Sequence, residues 1–348
     1  MERLKYLTKR ILMAFPVLWL GTSITWFIIY QGPVDPAANL LSGNERLTEE
    51  KYEAARQSLG LDQQPLEHYV DWSASLYTLD LGQTWLIYPG SNVGALVLDF
   101  LPRTVWLGFW SVMIAVFIGV PLGFYAGVRS NSIADYFASV SGIVWRAMPN
   151  FWLAVILLAV LVGSETLLGF NWQTAVIDLP SGVTGNPGLS YMEGNPMALF
   201  TQPEQTLAAI KKILPAALVL GSASMGNEMR IGRTAVVETK NEQYVDFARA
   251  KGVSERSIVW KHVFRNALIP LVPIVTTEAF LLIGGSVLVE SVFGINGMGK
   301  LFFDAAIQGD LPLVGSLMFV FIVLLLVINI VQDVLYTLID PRVGYEGS

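Results

Sequence analysis

Apolar and polar residues along this chain fall into long blocks, not into the short alternations of a soluble fold. The first apolar run, Ile11 to Tyr30, is long enough to cross a bilayer and follows Arg3, Lys5, Lys9 and Arg10. No small-residue cleavage pattern comes after it, so it reads as a retained helix with a cytoplasmic N-terminus. Further runs are predicted at about 104–128, 135–163, 213–226, 271–292 and 313–338. The second starts after Pro102 and ends at Arg129, and a short link, 130–134, leads to the third. The fold class this pattern predicts is an all-α polytopic membrane protein with six transmembrane helices.

The polar segments set the topology through their charge. Residues 31–103 carry ten acidic residues against Arg46, Lys51, Arg56 and Arg103, which places this long segment outside. Within it, 48–59 has helical character, with Thr48 as N-cap, Glu49 and Glu50 in the first turn and Gly60 as the stop. Residues 164–210 hold four acids and no Lys or Arg, with a Gly/Pro-rich middle at 180–196 that reads as an external loop. Residues 229–269 reverse the balance, eight basic against four acidic, and so lie in the cytoplasm. Six spans starting from an internal N-terminus put that loop and the C-terminus inside by alternation alone. The chain then divides into 1–30 (N-terminus and first helix), 31–103 (external segment) and 104–348 (a five-helix core with the loop at 229–269).

Composition agrees: 53% apolar, 14% charged, net charge −6, and a mean hydropathy of +0.52. There is no cysteine, and the two histidines, His68 and His262, are far apart. Neither a disulfide framework nor a metal centre has residues to build on, and no catalytic triad or paired carboxylates stand out. The run from Gly294 to Lys300 matches G-x-x-x-x-G-K, but Leu301 stands where a phosphate loop needs Ser or Thr, and the segment is external.

The cytoplasmic loop carries the most specific signal. Residues 247–252 form a helix-prone stretch closed by Gly252, and Ser254 with Glu255 looks like the N-cap and acidic first turn of a second short helix reaching about Phe264. Its string Tyr244-Val245-Asp246-Phe247-Ala248-Arg249-Ala250-Lys251-Gly252, with Arg265-Asn266-Ala267-Leu268-Ile269-Pro270 further on, resembles the EAA loop of ABC-transporter permeases of the dipeptide/oligopeptide/nickel type. Asp246 and Phe247 depart from the basic or polar pair usual in that branch. The resemblance extends to Gly32-Pro33, to Met148-Pro149-Asn150-Phe151-Trp152, to Val289-Glu290-Ser291-Val292-Phe293 and to Asp340-Pro341-Arg342. It is weakest over 164–210.

The resemblance implies a permease subunit of an ATP-driven importer in a prokaryotic cell membrane. Its implied partners are a second, different permease chain, two ATPase subunits that hold ATP and magnesium, an external or periplasmic substrate-binding protein and membrane lipid, with no nucleic acid. No cofactor is implied for this chain itself. Residues 244–252 and Ser254 would form coupling helices between spans four and five that dock on the ATPase. Tyr244 and Phe247 would anchor them, with the small Ala248 and Ala250 allowing close approach. Peptides are the implied cargo, with nickel or sugar as alternatives within the branch. An ion-driven secondary transporter is a competing reading, but no inverted repeat or set of paired intramembrane charges supports it. The external segment would either seat the binding protein or cap the outer helix ends.

Two further features bear on a translocation pathway. Pro149 and Phe151 sit inside the third run, where a proline frees a carbonyl and kinks the helix, shaping a cavity, a hinge or a plain packing bend. Glu278 lies about nine residues into the fifth run, near mid-bilayer at roughly 1.5 Å rise per residue. An intramembrane carboxylate either faces a cavity, where it would hold a cationic group, or is neutralised by protonation or by a hydrogen bond to Thr277 or a neighbouring helix. Arg146 is a candidate partner charge.

Overall fold

A computed structural model describes residues 2–32, 34–41, 48–172, 201, 203–271, 274–275 and 287–339. Among them every regular element is helical, apart from one isolated bridge between Gln83 and Asn92. In chain order the helices are α1 (Glu2–Tyr30), α2 (Pro36–Leu41), α3 (Glu49–Ser58), α4 (Pro65–Tyr77), α5 (Val93–Val128), α6 (Ile133–Ala147) and α7 (Asn150–Val162). They continue with α8 (Ser164–Leu168), α9 (Pro203–Lys240), α10 (Gln243–Ala250), α11 (residues 255–267), α12 (Val287–Phe293), α13 (Met298–Gln308) and α14 (Leu311–Ile339). Four of these are long and apolar enough to cross a membrane, or five if α6 and α7 together make one span. The expected fifth span, 271–292, lies largely outside the described residues.

Two helices outrun the expected limits. The helix of the second span does not begin after Pro102: α5 starts at Val93, because the Asn92 side chain accepts the Ala95 N–H (2.9 Å) and caps the helix there. Pro102 is carried inside α5. The third run bends at its proline, as expected. Met148 is extended (ψ 126°), as steric conflict with a following proline dictates, and α6 and α7 meet at 98° across Met148 and Pro149. The fourth span is not confined to 213–226: α9 runs 38 residues to Lys240, so 229–240 is helix and not loop. Two of the polar residues that made this stretch look like a loop, Arg233 and Lys240, bond to neighbouring helices instead.

The chain folds as two units. The first comprises Met1–Pro102 and Asn296–Val327. Its apolar core joins Val97 and Phe100 to Met298, Leu301, Leu313 and Leu317. Helix α4 lies along the C-terminal half of α1, held by three polar pairs: Ser23 with Tyr69 (2.6 Å), Thr22 with Tyr77 (3.3 Å), and the Trp26 indole N–H donating to His68 Nδ1 (3.1 Å). Asp310, fully buried at the start of α14, accepts the backbone N–H groups of Trp85, Leu86 and Ile87 and so fixes the 83–92 turn. Thr48 occupies the N-cap position of α3 as expected, although its side chain makes no capping bond, and Gly60 (φ 70°) closes that helix.

The second unit comprises Arg103–Ile295 and Ile328–Ser348, and α9 is its central element. A glycine row on α5 lets α9 approach backbone to backbone. A Cβ on Gly119 would lie 2.7 Å from the Met225 carbonyl oxygen, and one on Gly127 2.6 Å from Val236. Gly142 and Gly226 make a similar crossing between α6 and α9. At the start of α6, Ser132 caps the helix by accepting the Asp135 N–H (3.2 Å). The Asp135 carboxylate, 2% exposed, is clamped in two-point contact by Arg233 of α9 and also accepts the Asn131 N–H.

Candidate functional site

The segment 243–267 folds as two short helices packed on the ends of longer ones. Val245 and Ala248, three residues apart on α10, are buried against Ala235 and Val236 of α9 and Ile258, Val263 and Ala267 of α11. Phe124 and Val128 of α5 complete this small core. Lys240, the last residue of α9, donates its ammonium to the Val128 carbonyl (2.9 Å), so the module is tied to the C-terminal end of α5.

The turn between α10 and α11 is closed by backbone geometry. Gly252 adopts φ 75°, its N–H reaches the Arg249 carbonyl (2.9 Å), and the Val253 N–H reaches that of Ala248 (3.2 Å). Arg249 then braces the pair, bonding Asp246 within its own helix (3.1 Å) and Glu255 across the turn (3.0 Å). The Glu255 hydrogen bond, followed by Asp246, raises the Arg249 pKa further above its already high value. Ser254 holds the N-cap position of α11 in extended backbone, but its hydroxyl makes no capping bond. Helix α11 contains a π-turn at Ile258–Val263, and its end is fastened by Asn266, whose amide donates to Tyr244 Oη and to the His262 carbonyl (2.8 Å each).

Among the polar side chains that the module leaves outward stand exposed aromatics. Phe247 is 62% exposed and Trp260 56%, with the Lys251 ammonium 4.4 Å above the Phe247 ring. Tyr244 is partly exposed, and Asp246, Arg249, Ala250 and Lys251 are exposed as well. Ala248 corrects an expectation: it faces the chain's own core, while Ala250 is exposed. Period alone left open which small residue turned inward.

Of the pathway candidates, Pro149 and Phe151 are both exposed at the α6–α7 break. Arg146, one turn earlier, donates to Asn227 Oδ1 of α9 (2.6 Å). Glu278 lies outside the described residues, so its pairing with Arg146 is not part of this geometry. Among the described residues no group of three or more His, Cys, Asp or Glu side chains could hold a metal ion. Sequence reasoning missed Asp135, Arg233 and Lys240, although Ser132-x-x-Asp135 is a capping signature that points to the first of them.

Comparison with known proteins now adds a family. The family described as binding-protein-dependent transport system inner membrane component matches residues 119–345, and the N-terminal region of the same kind of component matches 3–84. This chain belongs to that family. As an inner membrane component of a binding-protein-dependent transport system it is a multi-pass membrane protein and a transport subunit, not a catalytic one. It is 31% identical over 341 residues to the oligopeptide transport system permease protein AppB of Bacillus subtilis (strain 168), covering 98% of this chain and 99% of that protein. It is 28% identical over 343 residues to the di/tripeptide transport system permease protein DppB of Pseudomonas aeruginosa (strain UCBPP-PA14), covering 99% of each. Among solved structures, a chain of the MetNI methionine ABC transporter in inward-facing conformations is similar over 70% of this chain and 96% of that one, with TM-score 0.48 and 18% identity.

Proposed function

We propose that this chain is a permease subunit of an ATP-driven ABC importer for peptides, and that α10 and α11 are its coupling helices. The observation that carries the reading is the division of labour within 243–267. Val245 and Ala248 turn inward, the Arg249 brace and the Gly252 turn fix the angle between the two helices, and Phe247, Trp260 and Tyr244 remain uncovered. Exposed aromatics on a rigid, polar-edged element are what a protein partner buries at an interface centre.

In this reading two ATPase subunits hold ATP and magnesium, a second permease chain completes the pathway, and an external binding protein delivers the cargo. Six spans leave both termini in the cytoplasm, with 31–103 outside. Closure of the ATPase pair moves the module as one body, and the movement enters α9 through Ala235, Val236 and Lys240. The α6–α7 break with Pro149 and Phe151 borders the pathway, joined by Glu278 of the fifth span. The names of the relatives, oligopeptide and di/tripeptide permeases, support peptides as cargo.

The test is reconstitution of the full chain with its permease, ATPase and receptor partners in vesicles. ATP-dependent peptide uptake is expected, and Phe247→Asp should abolish both ATPase co-purification and uptake while the chain still inserts. Uptake in vesicles lacking any ATPase subunit would refute the reading, as would normal uptake by Phe247→Asp.

A further inference from the structure

Three arginine side chains of the second unit border one cavity. Arg146 of α6 and Arg230 and Arg233 of α9 line a space of about 80 Å³ where these helices cross beside α5. That is well above the ~10–15 Å³ needed for a single water. Most of the wall is hydrocarbon, including Ala126, Ile143 and Met229. Asp135, the carboxylate held by Arg233, also accepts the Asn131 N–H and the Ser139 hydroxyl (3.3 Å). Arg146 has the neutral Asn227 side chain as its hydrogen-bond partner, and Arg230 is exposed. Among the described residues, three arginines border this space and one carboxylate, Asp135, pairs with Arg233 among them.

An apolar cavity edged by guanidinium groups suits an amphiphile with an anionic head better than a free ion. The outward face of α6 continues the apolar surface away from it: Phe137 is 76% exposed, and Val140 and Val144 are also exposed. Guanidinium forks match phosphate oxygens in two-point hydrogen bonds. Basic pockets between membrane helices hold lipid headgroups by the same chemistry. We propose that Arg146, Arg230 and Arg233 form a binding site for the phosphate of an anionic membrane lipid, whose acyl chains lie along the exposed face of α6. The site is at the end of α9 that leads to α10, so the lipid belongs to the leaflet on the docking-module side.

The test uses the purified full-length chain in neutral detergent, with native mass spectrometry and thermal shift as independent readouts. Phosphatidylglycerol is expected to be retained and to raise the melting midpoint, while phosphatidylcholine and millimolar inorganic phosphate do neither. Arg146→Gln with Arg230→Gln should weaken phosphatidylglycerol binding by on the order of tenfold or more, since each lost contact is charge-assisted. Arg230→Gln alone, at an exposed position that does not threaten folding, should weaken it on the order of fivefold, and Arg256→Gln, outside the cavity, should not. Equal retention of the two lipids, or unchanged affinity in Arg230→Gln, would overturn the site. Stabilisation by inorganic phosphate without phosphatidylglycerol binding would overturn the lipid and leave a soluble anion.

Discussion

Two helix glycines in the second unit, Gly123 and Gly232, differ only in what lies against them, and this gives a test of opposite signs. A methyl on Gly123 would sit 2.9 Å from both the Cα and the carbonyl carbon of Met229, and closer still to its carbonyl oxygen. Comfortable carbon–carbon contact is about 3.5–4.0 Å. The obstacle is backbone and cannot rotate away, so α5 and α9 must part by several tenths of an ångström or more. Overpacking of this kind costs about 1–3 kcal/mol. Replacing a helix glycine by alanine returns about 1 kcal/mol of propensity. Gly123→Ala should therefore destabilise by up to about 2 kcal/mol.

At Gly232 the added methyl meets Leu271 Cδ1 at 3.7 Å and the Cα of Gly123 at 3.8 Å, which is ordinary contact. Gly232→Ala should keep most of the propensity gain and stabilise by up to about 1 kcal/mol. The assay is thermal unfolding of the full chain in one detergent, with midpoints expected to move a few degrees in opposite directions. A Gly123→Ala midpoint at or above that of the parent, or shifts of equal sign, would refute the close-approach account of this interface.

Two further predictions follow from the turn at Gly252 and the His68 contact. Gly252 has φ 75° and nothing within 4 Å of an added Cβ, so Gly252→Ala faces backbone strain and no clash within this chain, and Gly252→Arg faces the same strain. Strain of about 1–2 kcal/mol, less a few tenths to 1 from restricting the unfolded chain, leaves about 1 kcal/mol and should speed amide exchange over 243–253 by about fivefold. Unchanged exchange in Gly252→Ala would refute the strained turn. Burial lowers the His68 pKa below its ordinary value of 6.5, and its Nδ1 accepts a hydrogen bond that protonation would break. The unfolded chain then binds the proton more readily, so stability should fall as pH drops through and below about 6.5. Melting of the parent between about pH 7.5 and pH 5 should show this loss, and His68→Gln should flatten it. An equal slope in the variant would exclude His68.

Which parts of this molecule were legible depends on the range of the forces involved. Gly252 closes α10 because a glycine after a helix-forming run is a local backbone signal, and it reads the same in isolation as in the fold. Pro102 and Pro149 look alike in the sequence, yet one is carried inside α5 and the other separates two helices at 98°. For Pro102 the deciding group is the Asn92 cap, which starts the helix earlier; at Pro149 the residue before it takes up extended backbone. Asp135, Arg233 and Lys240 read as ordinary charges until α6, α5 and α9 come together and give each a partner.

By itself the sequence determined that this is a helical membrane protein with a basic two-helix loop on one side, since hydropathy and charge balance are summed over neighbouring residues. Only tertiary structure decided that α9 is one long helix, that Ala248 faces inward while Phe247 and Trp260 stay exposed, and that three arginines share a cavity. Those outcomes depend on which surface lies against each helix face, and contacts between residues distant along the chain set that.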